Sequence, residues 1–232
     1  MRLDKYLCEV NIGTRTEVKE IIKKNRVMVN GAIIKDPGYH VSDNDKVSLD
    51  GNEIMYEEFR YYMLNKPAGV ISATEDSNAV TVLDLLKDEN TKGLFPVGRL
   101  DKDTVGLLLI TNDGELSHRL LSPRKHVEKC YYVELAEAID KEDIKRLGEG
   151  VDIGDDELTL PAKVEAISPT KIYLTITEGR YHQVKRMMQA IDNEVTYLKR
   201  VSFGSLELDK GLAEGEYRRL DDDELLMLQI KC

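Results

Sequence analysis

Leu3, Tyr6, Leu7 and Val10 recur at i, i+3, i+4 and i+7, the spacing that lines one face of a helix with apolar side chains. Thr14 followed by Glu17 is a capping-box signature, and Val18, Ile21 and Ile22 supply the apolar side of the second helix it opens. Arg15, Lys19 and Lys23 recur every four residues on another face of that helix. In "RVMVNGAIIK" the period changes to that of two β-rich runs. They meet at Asn30 and Gly31, a pair suited to a two-residue hairpin turn because both positions need positive φ. Residues 1 to about 55 therefore predict two helices and a small sheet.

Charged Glu57, Glu58 and Arg60 precede a new strand-like run and a Lys-Pro-x-Gly turn at 66–69, which places a boundary near residue 58 and divides the chain into domains 1–57 and 58–232. Beyond it, β-rich runs occupy 61–64, 106–111, 130–135, 160–167, 171–177 and 201–208, and helical patterns occupy 81–87, 114–121, 140–148, 181–191 and 221–228. Strands and helices do not alternate regularly. The expected fold is α+β: a small N-terminal module, then a mixed, mostly antiparallel sheet with flanking helices.

Composition narrows the function. The 232 residues are 41% hydrophobic and 33% charged, and no run approaches the roughly 18 apolar residues of a membrane span. The opening MRLDKYLCEV lacks the features of a secretory signal, so a cytoplasmic protein is expected. Cys8, Cys130 and Cys232 are odd in number and scattered, and only four histidines accompany them, which signals neither a disulfide framework nor a metal site. A net charge of -10 argues against nucleic acid only if the charge is uniform. It is not: residues 1–26 hold seven Lys/Arg against four Asp/Glu, and 180–200 hold five against two, whereas 134–158 hold three against ten. Exposed charges are largely screened beyond about 8 Å, so a phosphate responds to these local basic surfaces.

The stretch "GRLDKDTVGLLLITNDG" sets Arg99, Asp101, Lys102 and Asp103 before the apolar run Leu107–Ile110. Taken alone, such a loop is equally an Asx turn or a set of surface ions, and its glycines fit neither phosphate-binding pattern. "SPRKHVEKCYYVEL" gathers Arg124, Lys125, His126 and Lys129 before Tyr131 and Tyr132, which strand alternation turns to opposite faces. "EGRYHQVKRMM" carries Arg180, His182, Lys185 and Arg186 into a helix whose buried side is Val184, Met187 and Met188.

"RLDKYL…TRTEVKEIIKKNRVMVNGAIIKDPGYHVSDNDKV" resembles the small RNA-binding domain first known from ribosomal protein S-four. By that resemblance Lys5, Arg15, Lys19 and Lys23 meet RNA phosphates, contacts that position a protein without reading sequence. "LNKPAGVIS", "PVGRLDKDTVGLLLITNDG", "SPRKHVEKCYYVEL" and "EGRYHQVKRMM", in that order, resemble the pseudouridine synthase family and specifically its RsuA branch. The resemblance covers nearly the whole chain. It implies isomerisation of a uridine to pseudouridine, a redox-neutral reaction needing no cofactor and no metal. Asp101 would be the catalytic carboxylate, attacking the sugar or the base or promoting a glycal.

The resemblance also makes Tyr131 the active-site tyrosine, which leaves Tyr132 on the opposite strand face as the expected core aromatic, and makes Lys185, where the family often has arginine, the cation that keeps Asp101 ionised, with Arg180 as its rival. Arg99 would fill the space left by a flipped nucleotide or hold its phosphate. Lys66, Arg180 and His182 join it as substrate-binding residues, and Arg124 and Lys125 as RNA contacts. The implied partner is ribosomal RNA or a partly assembled small subunit, bound by a monomer, with uridine 516 of 16S rRNA the expected target. Alternatives are a 23S rRNA enzyme of the same family and a noncatalytic assembly factor. A glycosidase pairing Asp101 with Asp103 is disfavoured, since such carboxylates stand about 5–9.5 Å apart across a cleft.

Overall fold

The computed structural model describes residues 1–230, which form two compact units: Met1–Phe59 with Asp88–Gly93, and Arg60–Lys87 with Leu94 onward.

The first unit contains helices α1 (Leu3–Glu9) and α2 (Arg15–Lys23), then strands β1 (Val27–Val29), β2 (Ala32–Ile33), β3 (Val47–Leu49) and β4 (Asn52–Ile54) in an antiparallel sheet of order β2-β1-β3-β4. The capping box forms as expected: the Glu17 amide donates to Thr14 Oγ1 at 3.4 Å, and the Thr14 amide donates to the Glu17 carboxylate at 2.7 Å. Asn30 and Gly31 take φ of 52° and 80°, the left-handed pair that the hairpin turn requires. Leu3, Leu7, Val18, Ile22, Val27, Val29 and Val47 make the core. Segment 88–93 closes the end of α1. Asn90 donates to the Glu9 carbonyl and Lys92 Nζ to the Cys8 carbonyl, satisfying acceptors that the helix leaves open and placing a cation at its negative end.

The second unit carries β5 (Tyr61–Lys66), β6 (Phe95–Pro96), β7 (Val105–Thr111), α3 (Gly114–Leu121), a 3-10 turn (Pro123–Lys125), β8 (Lys129–Leu135) and α4 (Lys141–Glu149). It continues through β9 (Lys163–Ser168), β10 (Lys171–Ile176), α5 (Gln183–Gln189), β11 (Val195–Phe203), β12 (Leu206–Glu207), β13 (Tyr217–Arg219) and α6 (Asp222–Ile230). The sheet runs β13-β5-β7-β11-β8-β10-β9, with β12 on β11 and β6 on β7. Every pairing is antiparallel except β7 with β11, so the expected mixed, mostly antiparallel α+β architecture is the one observed.

Strands β5 and β7 are buried on both faces, which explains the apolar runs at 61–64 and 107–110. Tyr62, Leu64, Leu108 and Ile110 point into one core with Val184, Met187 and Met188 of α5, while Met63, Leu107 and Leu109 point into another with Leu116 and Leu120 of α3.

Three expectations need correction. Residues 81–87 are turns, not a helix. Thr81 and Asp84 bond to each other in a helix-start pattern, but the one following turn closes with an i+3 bond from Leu86 to Leu83 and goes no further, because nucleation is unfavourable without residues to propagate into. The strand expected at 201–208 begins at Val195, its early part hidden because buried Arg200, whose Nε donates to the Leu107 carbonyl at 2.8 Å, interrupts the apolar alternation; it breaks after Phe203, where Gly204 takes a φ of 57° and turns the chain back into β12. The helix expected from 181 starts at Gln183, because His182 has a left-handed backbone with φ of 48°. Among the described residues no helix is long and apolar enough to cross a membrane.

Candidate active site

Gly98–Thr104 leads into β7, and several contacts fix its shape. Ser72 Oγ donates to the Leu100 carbonyl at 2.9 Å and accepts from the Leu100 amide at 3.0 Å. The Thr104 amide donates to the Asp101 carbonyl, closing a turn, and the Gly69 amide donates to the Lys102 carbonyl at 2.7 Å. Gly106 follows with φ of 101°, paired in parallel with Arg200, and a Cβ there would overlap the Arg200 carbonyl. Only glycine allows this close approach, which brings the end of the loop against β11.

Lys66 lies beneath the loop. It is fully buried, and its ammonium donates to the carbonyls of Pro67, Lys102 and Thr104 at 3.0, 3.3 and 2.8 Å. Burial pulls its pKa down to about 8, against the opposing pull of Asp103 and Asp101. The expected substrate-binding role is thus replaced by an internal one: Lys66 does not line the cleft, because its amine is used on backbone oxygens.

Above the loop, Asp101 faces α5. Its carboxylate is 3.3 Å from Lys185 Nζ and 3.5 Å from His182 Nε2, and its side chain is 26% exposed. Lys185 is shared with Asp103, whose oxygens accept from it at 2.6 and 2.8 Å. The hydrogen bond from Lys185 holds Asp103 below the ordinary carboxylate range. Burial lowers the Lys185 pKa, but the bond to Asp103 and the charge of Asp101 outweigh it, so the amine is held above its ordinary value. One amine thus faces both carboxylates.

The cleft around Asp101 has a volume near 80 Å³ and is bordered by Arg99, Tyr131, Arg180, His182, Lys185 and Thr104 among others. Arg99 is exposed, whereas Tyr131 on β8 is 8% exposed and faces the α5 core. Arg180 borders the cleft but is not the cation on Asp101. Its guanidinium binds Glu178 and the carbonyls of Glu157 and Leu158, with Asp155 at 3.5 Å, so it pins the 155–158 loop. Tyr132 alternates to the other face, as strand geometry requires, yet it is not a core residue. It packs edge-on against Tyr173 and Tyr197 on the wall of a larger open groove near 510 Å³ that contains neither Asp101 nor Lys185.

Arg124 and Lys125 stand exposed on the 3-10 turn, outside the cleft lining, and Lys5, Arg15, Lys19 and Lys23 are exposed on α1 and α2 of the first unit. Two contributors escaped sequence reasoning. Ser72 clamps the loop from a distant segment, and the buried Thr104 Oγ1 has no hydrogen-bond partner although its residue lines the cleft. A polar residue between Asp103 and the apolar strand was the one local signal for Thr104.

A carboxylate held between an amine and an imidazole, on a loop clamped to a mixed sheet, is a charged group fixed in place at the wall of a narrow cleft, the preorganisation that catalysis uses. Residues 60–190 match the RNA pseudouridylate synthase family, and residues 1–47 match the S4 domain. The chain belongs to the RNA pseudouridylate synthase family, with an N-terminal S4 RNA-binding domain. It is 53% identical over 234 aligned residues to the RNA pseudouridine synthase YtzG of Bacillus subtilis (strain 168), covering 98% of each chain. It is 43% identical to ribosomal small subunit pseudouridine synthase A of Vibrio cholerae and 42% identical to that of Escherichia coli (strain K12), covering 97% of this chain and 98% of each relative. A solved pseudouridylate synthase superposes with a TM-score of 0.71 at 39% identity, covering 98% of this chain and 99% of its own.

Proposed function

We propose that this enzyme converts uridine 516 of small-subunit 16S rRNA to pseudouridine in the cytoplasm, acting as a monomer on the RNA or on a partly assembled subunit. The names of its 42–43% identical relatives support the small-subunit substrate. In this reading residues 1–57 hold RNA through Lys5, Arg15, Lys19 and Lys23, residues 58–232 carry the chemistry, and Arg124 and Lys125 extend the phosphate contacts.

The observation that carries the catalytic assignment is Asp101, 3.3 Å from Lys185 in a narrow cleft beside Tyr131. A unit charge pair at 4 Å contributes about 4 kcal/mol at an effective dielectric of 20, enough to offset partial desolvation of the carboxylate. Asp101 promotes cleavage of the bond from N1 to the sugar. The base turns within the cleft, carbon-5 bonds to the sugar, and the carbon-5 proton is lost while N1 gains one, so no atom is added or removed. Tyr131 packs its ring on the uracil, and its hydroxyl assists removal of that proton. His182 contacts the nucleotide beside Asp101, Arg180 shapes the wall through the 155–158 loop, and Arg99 takes the space or phosphate of the extruded nucleotide. Extrusion itself costs a few kcal/mol of stacking.

The test incubates the protein with unmodified 16S and 23S transcripts and with assembling small subunits, and maps pseudouridine by chemical stops. Product at uridine 516 is expected, and Asp101→Asn should yield none while binding RNA as before. Product in 23S rRNA would replace the target, and full activity of Asp101→Asn would remove the carboxylate from the reaction.

A further inference from the structure

Tyr181 is 76% exposed, although it lies between two residues that line the cleft, Arg180 and His182. Its ring stacks on the His182 imidazole with centroids 3.9 Å apart and planes 18° from parallel. That leaves the opposite face of the tyrosine to solvent. An aromatic plate so exposed lacks the burial that would account for it as packing.

The segment holding it is rigid. The Arg180 amide donates to Gln183 Oε1 at 2.9 Å, the Gln183 amide donates to the Arg180 carbonyl, and Arg186 donates to the Tyr181 carbonyl at 3.1 Å. The Arg180 guanidinium is tied to Glu178, Glu157 and Leu158, and Gln183 is buried. The plate is therefore presented, not swinging on a loose loop.

The cleft volume near 80 Å³ is well below the roughly 300–1,000 Å³ of ordinary small-molecule sites, so it suits a single base and leaves adjoining nucleotides at its rim. Each adjoining nucleotide, once its neighbour is extruded, has lost a stacking partner. We infer that Tyr181 is a substrate-positioning residue whose free face stacks on a base adjoining the extruded uridine, forming a base–Tyr181–His182 stack beside Asp101. A π-face is common to all bases, so the plate holds the strand in register without reading a letter. The inference rests on Asp101 marking the cleft that receives the uridine.

The experiment uses the full-length protein with unmodified total ribosomal RNA, so that turnover is read whichever uridine is converted. Tyr181→Ala and Tyr181→Leu should each lower kcat/KM about tenfold, mainly through KM, because base stacking is worth that order of affinity. Tyr181→Phe should stay within about twofold, since the ring is kept. The logarithmic salt slope of RNA binding should be the same in all four proteins, because stacking releases no counterions. Thermal melts should coincide, as the ring is exposed. A Tyr181→Ala enzyme within twofold of the parent, a Tyr181→Phe enzyme as impaired as Tyr181→Ala, or a reduced salt slope would each overturn the assignment. Asp101→Asn in the same assay separates the two readings: its full activity would remove the cleft assignment whatever the tyrosine variants do.

Discussion

Lys5, Arg15 and Lys19 of the N-terminal unit stand in solvent, and Lys23 meets Glu20 at 3.1 Å with both side chains more than half exposed. In the larger unit Lys66, Lys129 and Arg200 are buried on backbone carbonyls, Lys185 and Arg180 are each held between two carboxylates, and Arg186 is held by Asp155 and the Tyr181 carbonyl. Both sets are cationic, but they suit different work. An exposed ammonium can exchange its counterions for phosphates at little structural cost, which makes affinity without geometry. A buried or clamped cation is spent on protein atoms and makes geometry without affinity. A chain of net charge -10 can therefore bind RNA and position a carboxylate at once, because placement matters more than the total.

Lys66 gives the largest break of this contrast. Lys66→Met leaves the Pro67, Lys102 and Thr104 carbonyls without their buried donor, and a loss of about 2–3 kcal/mol in denaturant unfolding at pH 7 is expected. Turnover should fall as well, since those carbonyls shape the loop carrying Asp101. The pH dependence has a defined sign. Burial sets the folded pKa at about 8 against an ordinary 10.5, so the unfolded chain holds more protons between these values. Stability from this group is lost as pH falls through about 8 and fully present above about 10.5. The gap between parent and variant should thus widen by up to about 3 kcal/mol as pH rises across that window. A gap that stays constant from pH 8 to 10.5 would mean that the buried amine does not titrate there.

Replacing Lys5, Arg15 and Lys19 together by glutamine tests the other half. The logarithmic salt slope of RNA binding should fall by about 2–3, with roughly tenfold weaker binding at physiological salt. Turnover at saturating RNA should not change, because none of the three lines the Asp101 cleft. A slope equal to the parent's would show that these cations do not meet phosphate.

The same division explains what could be read from the chain in advance. Local chemistry was legible: the Thr14–Glu17 box, the Asn30–Gly31 turn, and the double-sided strand hidden in Leu107–Ile110. Tyr131 and Lys185 reach one cleft with Asp101, as the family resemblance implies. What was not legible depends on partners remote in sequence. Nothing near Lys66 reports the Lys102 and Thr104 carbonyls that bury it, and Arg200 reads as a surface charge until Leu107 is beside it. Arg180 stood as the rival of Lys185 because its acceptors at 157 and 158 lie on a loop with no regular pattern. Tyr132 was assigned a core place by alternation, which sets its face but not whether another layer covers that face.

The smallest expected effect concerns Thr14, whose hydroxyl caps α2 and so holds the cationic stripe in its helix. Its backbone amide bonds to Glu17, which holds that carboxyl below the ordinary range; the bond is retained above that range and lost on acidification. Thr14→Ala should cost about 1 kcal/mol, the usual value of an N-cap hydroxyl. Hydrogen exchange should place the loss in amides of α2, with those of β7 and α5 unchanged, and kcat at saturating RNA should match the parent. Faster exchange in β7 would show that helix α2 and the loop before Gly106 are coupled, and the separation of binding cations from positioning cations would then fail at its weakest point.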